Sequence, residues 1–483
     1  MAHVVPEFNS PVAFIRSRVC WLIEFLNDLK WNQCNPQLID FVLKGLLQGL
    51  RDPHLAVQAA AACSMSSILG APGAQDVIKP ILPDIVREYF RIMDELESDS
   101  VLNALQAIVE NFSEDIVGLA PSMVVQLVKH FNVYTEAGFD DDEAAFSATQ
   151  CLDTISAIVN ALEEHPASLA ELENLLLPLI GGTIAVDCFE FLENGLDFIS
   201  QFTYYSDRVS PAMWSLCGPL LVAMNGWAFD FLPEMMTPML NYMTKNEQTF
   251  HTSTVTLGNG EFHLAEILLQ ACQKSLMIDD SMMEREAKVG ATLLTCFIST
   301  SKADPSVVRP YTARILHMIM ARICEFPFTP YVIAGTTEAV EAGKGEPVKT
   351  RALKNRLLEV GLALIYADAP FVINMMTTDA GMGQLGALFF DKLFENLSNM
   401  ENPGTQRILV MAFSNLLALP HASLPPVCQH NIQSIFMQAV REVDLLKDAG
   451  EDICLKTEEG EFKFKLPAVT LYWWCLASYW VVR

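Results

Sequence analysis

Helix starts recur along this chain at nearly constant intervals, and that recurrence restricts the fold more than any other feature of the sequence. Ser10-Pro11 opens one apolar segment, followed by Ile15, Arg16 and Cys20. Asp52-Pro53 opens another, with Val57, Gln58 and the small residue Ala61 at comparable offsets. Further starts fall near Ser98, Asp141 and Asp187, so successive intervals are 42, 46, 43 and 46 residues. One additional apolar helix is expected inside each interval, at 36–50, 75–96, 120–134 and 169–180. Within the segments the apolar residues return at helical spacing. Val12, Ile15, Val19, Leu22 and Leu26 share one face, as do Val77, Ile81, Ile85, Tyr89 and Ile92, and later Phe189, Leu192, Leu196 and Ile199. Alternating strand patterns are absent, so the chain is expected to be nearly all helix.

Two helices every roughly 40–47 residues is the period of a HEAT array. The start pattern has a physical basis. Ser or Asp caps the orphan amides of a helix, and Pro is tolerated at its first position. The β-branched residue faces the neighbouring helix, and the small residue lets it approach. The Arg is expected to reach the preceding repeat's acid. Gln58 stands where the first copy has Arg16, so a charge ladder would be incomplete there. Past residue 206 helices are expected at 210–224 and 229–244, split by Gly226-Trp227, then at 262–277, 281–300, 306–326, 348–366, 385–397, 406–417 and 426–446. A polar loop is expected over 335–346, and Gly258-Asn259-Gly260 reads as a turn. The expected fold is all-α: an α-solenoid of HEAT repeats, an armadillo-like right-handed superhelix of roughly ten helix pairs covering residues 1–455. Residues 456–483 read as a divergent tail. The apolar stretch 466–482, with Trp473, Trp474 and Trp480, is slightly short for a spanning helix, so no membrane insertion is expected.

Charge narrows the partner. The chain has 31 Lys and Arg against 58 Asp and Glu, a net charge of −27. Nucleic acid is a poor partner for such a surface, because phosphate binding needs cationic patches. Basic partners would be attracted and steered. The charge is concentrated: from His130 to Asp207 there is no Lys or Arg, and the same stretch carries fifteen acidic residues. Asp140, Asp141, Asp142 and Glu143 sit at a helix start, where they also suit the helix dipole. Glu190, Glu193 and Asp197 share a stripe opposite Phe189, Leu192, Leu196 and Ile199. These seven carboxylates are the candidate cargo-binding residues. Trp21, just off the apolar stripe of its helix, is a candidate aromatic anchor; Trp31, Trp214 and Trp227 read more simply as core.

No catalytic chemistry is legible. Gly343-Lys344-Gly345 lacks the flanking residues of a phosphate loop, and G-x-S-x-G and H-E-x-x-H motifs are missing. The nine histidines are dispersed, and the twelve cysteines form no C-x-x-C pair. Neither metal nor cofactor is expected. Unpaired thiols and the lack of a charged leader before an apolar core read as a reduced, intracellular protein.

The opening residues, His3-Val4-Val5-Pro6-Glu7-Phe8-Asn9-Ser10-Pro11 and Phe14-Ile15-Arg16-Ser17-Arg18-Val19-Cys20-Trp21, closely resemble a central segment of the importin seven/eight group, within the importin-β (karyopherin-β) nuclear transport receptors. The likeness continues through Asp52 to Ala61, Ser113-Glu114-Asp115, Cys151-Leu152-Asp153-Thr154-Ile155 and Val209-Ser210-Pro211-Ala212-Met213-Trp214. It implies a receptor that shuttles between cytoplasm and nucleus through the nuclear pore. It further implies basic cargo such as ribosomal proteins or histones, held on an acidic concave face, and phenylalanine-glycine (FG) nucleoporins docked between outer helices. Cargo release by the GTPase Ran in its GTP form is implied as well. Because the match starts in mid-array, the principal Ran-binding arch is expected to be missing, as in a truncated gene product. The residues alone also allow a HEAT scaffold or regulatory subunit of another complex.

Overall fold

A computed structural model describes residues 3–25, 31–96, 99–136, 142–258, 260–277, 284–341, 343, 348–378, 380–448, 454–457 and 460–463. The helices fall into two compact units, residues 1–207 and 208–483. Each unit is a two-layer stack of helices in chain order, which makes the fold an all-α solenoid.

In the first unit, one layer holds α1 (Ala13–Glu24), α3 (Leu55–Met65), α6 (Asp99–Asn111), α8 (Asp142–Ala161) and α10 (Leu192–Tyr205). The other holds α2 (Pro36–Gly49), α4 (Ala74–Ile78), α5 (Leu82–Glu95), α7 (Ala120–Glu136) and α9 (Pro166–Thr183). The first layer's helices start at intervals of 42, 44, 43 and 50 residues. The long last interval arises because a 3₁₀ segment, Val186–Phe191, precedes α10. The helix expected over 75–96 is broken instead into α4, a 3₁₀ turn and α5, where Pro80 and Pro83 remove backbone donors.

Three of the expected faces are corrected, two of them by those 3₁₀ turns. Each 3₁₀ residue advances by 120° rather than 100°. Phe189 therefore drops out of the α10 core stripe and is 52% exposed, and Phe191 takes the buried place beside Leu192, Leu196 and Ile199. Val77 is likewise exposed while Ile78 is buried. On α1 the buried face is Val19, Cys20 and Ile23, which meets α2 and α3; Val12, Ile15 and Leu22 point away from both and are exposed.

Polar rungs tie successive helices of a layer together. The Arg16 guanidinium donates to both Asp52 oxygens, at 2.7 and 2.9 Å, and to the Ser10 carbonyl at 2.8 Å. It thus reaches the acid of the following repeat, not the preceding one. Asp52 is not the helix cap expected of it. His54 holds that position, and Asp52 accepts from the His54 amide at 3.0 Å. Gln58, standing where an Arg would be, makes no rung to the next helix of its layer: its amide turns back to the Asp52 carbonyl of its own repeat, and Arg91 of α5, in the other layer, donates to its oxygen at 2.9 Å. The interior is mostly apolar. Tyr89 is fully buried, and its hydroxyl donates to the Ala62 carbonyl at 2.7 Å.

The second unit alternates α11 (Pro211–Asn225), α14 (Leu264–Met277), α16 (Thr312–Cys324), α18 (Ala380–Asn396) and α20 (Pro426–His430) with α12 (Leu232–Lys245), α15 (Glu284–Thr300), α17 (Arg351–Thr378), α19 (Pro403–Leu417) and α21 (Ile432–Asp448). A short α13 (Glu247–Thr252) follows α12. Tyr242 repeats the Tyr89 device, donating from a fully buried hydroxyl to the Met213 carbonyl at 2.7 Å. Gly361 admits the Phe389 ring, which a Cβ there would overlap.

Strand does occur, against expectation, as three short hairpins. In the first, β1 (Thr254–Leu257) pairs with β2 (Gly260–His263), so Phe262 lies in a strand and α14 begins two residues after it. Gly258 at φ +59° turns the hairpin, as the glycine pattern suggested. In the second, β3 (Tyr331–Val332) and β4 (Ala339–Val340) give order to the segment read as loop. In the third, β5 (Cys454–Thr457) pairs with β6 (Gly460–Lys463). Four-residue strands carry too little period-two signal to stand out beside long helices.

Among the described residues α17 is the single helix long and apolar enough by composition to cross a membrane, and α11 with α12 qualifies only as a pair bent by 111°; α17 is packed among α15, α16, α18 and α19, and it breaks at Asp368 (φ −152°, ψ 72°). Asp368 caps the second half by accepting from the Phe371 amide, and Arg309 holds it at 2.7 Å. The tryptophan-rich stretch 466–482 lies outside the described residues.

Arg16 hydrogen bonds, helped by the His54 amide, hold the Asp52 carboxyl below its ordinary value of 3.8. A depressed folded-state value means that ionised Asp52 stabilises the fold above that ordinary value and loses this effect as pH falls through the folded one. Asp52→Asn is therefore expected to lower the thermal midpoint at pH 7, with the deficit narrowing below about pH 4 in calorimetry. A deficit of the same size across that range would place the loss elsewhere.

Candidate functional site

The acidic stretch 130–207 folds into the end of α7, α8, α9 and α10. Here α8 and α10 are neighbours in one layer. Three rungs zip them together. Asn194 donates to the Asp153 carboxylate at 3.1 Å, Gln201 to the Ser156 hydroxyl at 2.6 Å, and the Tyr205 hydroxyl to Asn160 Oδ1 at 2.7 Å. Asp153, Ser156 and Asn160 follow one another at helical spacing, so one edge of α8 meets one edge of α10 along two turns.

This zipper gathers carboxylates. Glu193 and Asp197 are one turn apart on α10, and both are exposed. Asp197 feels the charges of Glu193 and of Asp153 across the rung. Its carboxyl is held above the usual value, first by partial burial and then by these two like charges. Partial burial also raises Asp153, against the Asn194 hydrogen bond that favours its ionised form. Between positions 130 and 207 no Lys or Arg is available to relieve the three. Lys129, just before that stretch, is already engaged by Asp94 at 2.7 Å. The result is a set of carboxylates whose charge is paired only weakly by its own protein. It can take cationic groups and has nothing with which to hold anions.

Of the other candidates, Glu190 is exposed but lies on the 3₁₀ segment, not on the helical stripe of Glu193 and Asp197. Asp140 and Asp141 lie outside the described residues; Asp142 and Glu143 open α8, with their side chains outside the description. Trp21 is 42% exposed and packs on Phe25 with ring centroids 4.4 Å apart. The Arg18 guanidinium lies over both the Trp21 ring, at 5.2 Å, and the Phe14 ring, at 5.3 Å. Trp21 is thus an exposed aromatic, but α3 and α6 separate α1 from α8 in the layer, so it does not join the acidic set. Trp31 is buried, its indole donating to the Ser67 carbonyl at 2.7 Å, and Trp214 packs on Tyr242. Trp227 is on the surface.

Sequence reasoning missed Asp153 and its partner Asn194. The signal was their separation of 41 residues, one repeat, which places both at equivalent points of successive helices. It also missed a groove of about 420 Å³ between α5 and α7, lined by Pro83, Val86, Phe90 and Leu119 and bordered by Arg87, Arg91, Ser122 and Gln126. Among the described residues no group of three His, Cys, Asp or Glu is placed to hold a metal. Burial pushes the thiols of Cys20, Cys63 and Cys151 up to about 12, where they are unreactive.

A family model described as importin-11-like, TPR repeats, matches residues 149–469. An importin beta-like SAD2 homolog of Arabidopsis thaliana is 26% identical over 461 residues, spanning 93% of this chain and 41% of the relative. Importin-8 of Mus musculus is 27% identical over 279 residues, 57% of this chain and 26% of the relative. The chain therefore spans less than half the length of these curated relatives. Among solved structures, Lph2, a bidirectional nuclear transport receptor of S. cerevisiae, superposes with a TM-score of 0.60 at 13% identity, covering 94% of this chain and 46% of that one. Importin beta gives a TM-score of 0.54 at 10% identity, covering 99% and 52%. These structural likenesses support the solenoid, and the family match supplies the identity. The chain belongs to the importin-β (karyopherin-β) family of nuclear transport receptors, which are binding proteins rather than enzymes.

Proposed function

We propose that this chain forms a cargo-binding part of a nuclear import receptor, and that Asp153, Glu193 and Asp197 on α8 and α10 take a basic segment of the cargo. The observation that carries this reading is the crowding of three carboxylates, two of which, Asp153 and Asp197, are held above the usual carboxylate value, in a stretch free of Lys and Arg. Leaving like charges together costs stability, and a protein carries such a cost where a ligand relieves it. Basic tails of the kind found on ribosomal proteins or histones would supply the missing cations, and the net charge of −27 would speed their approach. Asp140–Glu143 and Glu190, close by in sequence, extend the same acidic field. Residues 1–455 would act as one array in this role.

The α5–α7 groove is the place for a nucleoporin. Its apolar floor of Pro83, Val86, Phe90 and Leu119 fits a phenylalanine ring, and its volume of about 420 Å³ exceeds one. Passage through the pore and shuttling between cytoplasm and nucleus follow from that contact. Release by Ran-GTP belongs to the whole receptor, of which this chain is comparable to a part.

Three measurements test the proposal. The charge reversals Glu193→Lys and Asp197→Lys together are expected to weaken a basic histone-tail peptide at least tenfold in fluorescence anisotropy, and wild-type affinity should fall steeply with salt. Glu164→Lys with Glu171→Lys, equally acidic and exposed elsewhere, should change it less than threefold; equal losses from both pairs would remove the site. Because the free Asp197 carboxyl is raised and a bound cation would lower it, binding expels a proton, and affinity should decline as pH falls from 7 towards 5. Asp197→Asn should flatten that decline. Filling the groove with Ser122→Trp is expected to reduce capture of FG-repeat peptide about tenfold without touching basic-peptide binding.

A further inference from the structure

The second unit contains a feature of opposite character, independent of the acidic site. A cavity of about 650 Å³ opens along the α12–α15–α17–α19 layer. Arg285 and Lys288 of α15 and Arg356 of α17 line it, together with Asn355, Asn399 and the first turn of α19. Glu401 is the one acid in the lining, and it is exposed at the rim. Three cations in one cavity stand out in a chain with only 31 Lys and Arg.

The cations are held rather than loose. Arg356 Nη1 donates to both Glu359 oxygens, at 3.2 and 3.1 Å. Glu359 is buried and accepts from the Thr405 hydroxyl at 2.7 Å, which fixes α17 against α19. A guanidinium has five N–H donors, so this pairing orients Arg356 without exhausting it. Arg285 pairs with Glu234 of α12 at 3.1 Å. Among the described residues the Lys288 side chain makes no hydrogen bond or close ion pair; it lines the cavity from α15, and its charge is felt by the buried Glu284 one turn earlier. Two of the lining's carbonyl acceptors are already spent, Asn402 Oδ1 on the Gly404 amide at 2.9 Å and the Asn399 carbonyl on Asn355 Nδ2 at 2.7 Å, while the buried Asn355 Oδ1 keeps no partner. What the wall offers a ligand is therefore mainly donors and positive charge, reinforced by the N-terminal end of the fifteen-residue α19.

We infer that this cavity binds an acidic peptide segment, with Lys288 and Arg356 taking its carboxylate or phosphorylated side chains and Arg285 guiding the chain over α15. The shape favours a peptide over a lone ion. Helices in such a layer lie about 8–10 Å apart, so a trough crossing four of them runs for about 25 Å, the length of seven or eight extended residues. A receptor so built would read two signs of charge, basic segments in the first unit and an acidic segment in the second.

The test uses the full chain and fluorescence anisotropy with a labelled Glu/Asp-rich ten-residue peptide, a phosphoserine peptide, a neutral Ser/Ala control and inorganic phosphate as competitor. The acidic peptides should bind at least tenfold more tightly than the control. Lys288→Glu should abolish that difference, and Glu401→Gln should strengthen binding about threefold. Unchanged thermal midpoints would show that both variants fold. Acidic-peptide binding that Lys288→Glu leaves intact, or no preference over the neutral control, would overturn the inference. Competition by phosphate as complete as by peptide would reduce the site to a simple anion hole and overturn the peptide assignment.

Discussion

A pair of helices of this length cannot bury its own apolar face; it is stable only when the next pair covers it. Everything else in the structure follows from that dependence. The repeat length is conserved along the chain because a helix must return to the same layer at the same height. Proline is accepted at helix starts and in breaks such as Pro80 and Pro83 because the neighbouring pair, not the local helix, supplies most of the stability. The polar rungs also answer to it. Arg16–Asp52, Asn194–Asp153 and Tyr205–Asn160 join residues 36 to 45 positions apart, about one repeat, and each fixes how one helix slides against the next.

A layer built in this way presents one edge of every helix to solvent, and that edge is free to carry function. On α8 and α10 it carries acids. The same rungs that lock the two helices place Asp153 beside the charges of Glu193 and Asp197, so the structural zipper and the strained electrostatics share residues. In the second unit an edge of the α12–α15–α17–α19 layer carries Arg285, Lys288 and Arg356, supported by the buried Glu359–Thr405 contact. Substitutions on outward edges thus change the local charge of the array while its core pattern stays the same.

Much of this was legible from the residues. The repeat, the helix boundaries to within a few positions, the acidic bias of 130–207 and the exposure of Glu193, Asp197 and Trp21 all follow from periodicity and charge. The errors have a common origin. Phe189 and Val77 were assigned to core stripes by an unbroken 100° rotation, and a 3₁₀ turn interrupted it in each case. Val12, Ile15 and Leu22 formed a fair apolar stripe, but α2 and α3 lie on the other side of α1. At Gln58 the gap in the ladder holds, and what no residue pattern announces is the bond it makes across the layers with Arg91 of α5.

By itself the sequence determined that paired helices stack, because the spacing of apolar residues and caps is a local property written every 40-odd residues. It also determined the acidic sign of the 130–207 stretch, since charge is a matter of composition. Only the tertiary structure decided which side chains meet. Asp153 reaches Asn194, Arg16 reaches forward to Asp52, and Lys288 shares a cavity with Arg356, because each contact depends on how far one helix is shifted and rotated against the next. Shifts of that size are set by the summed packing of many side chains, and no single stretch of sequence contains them.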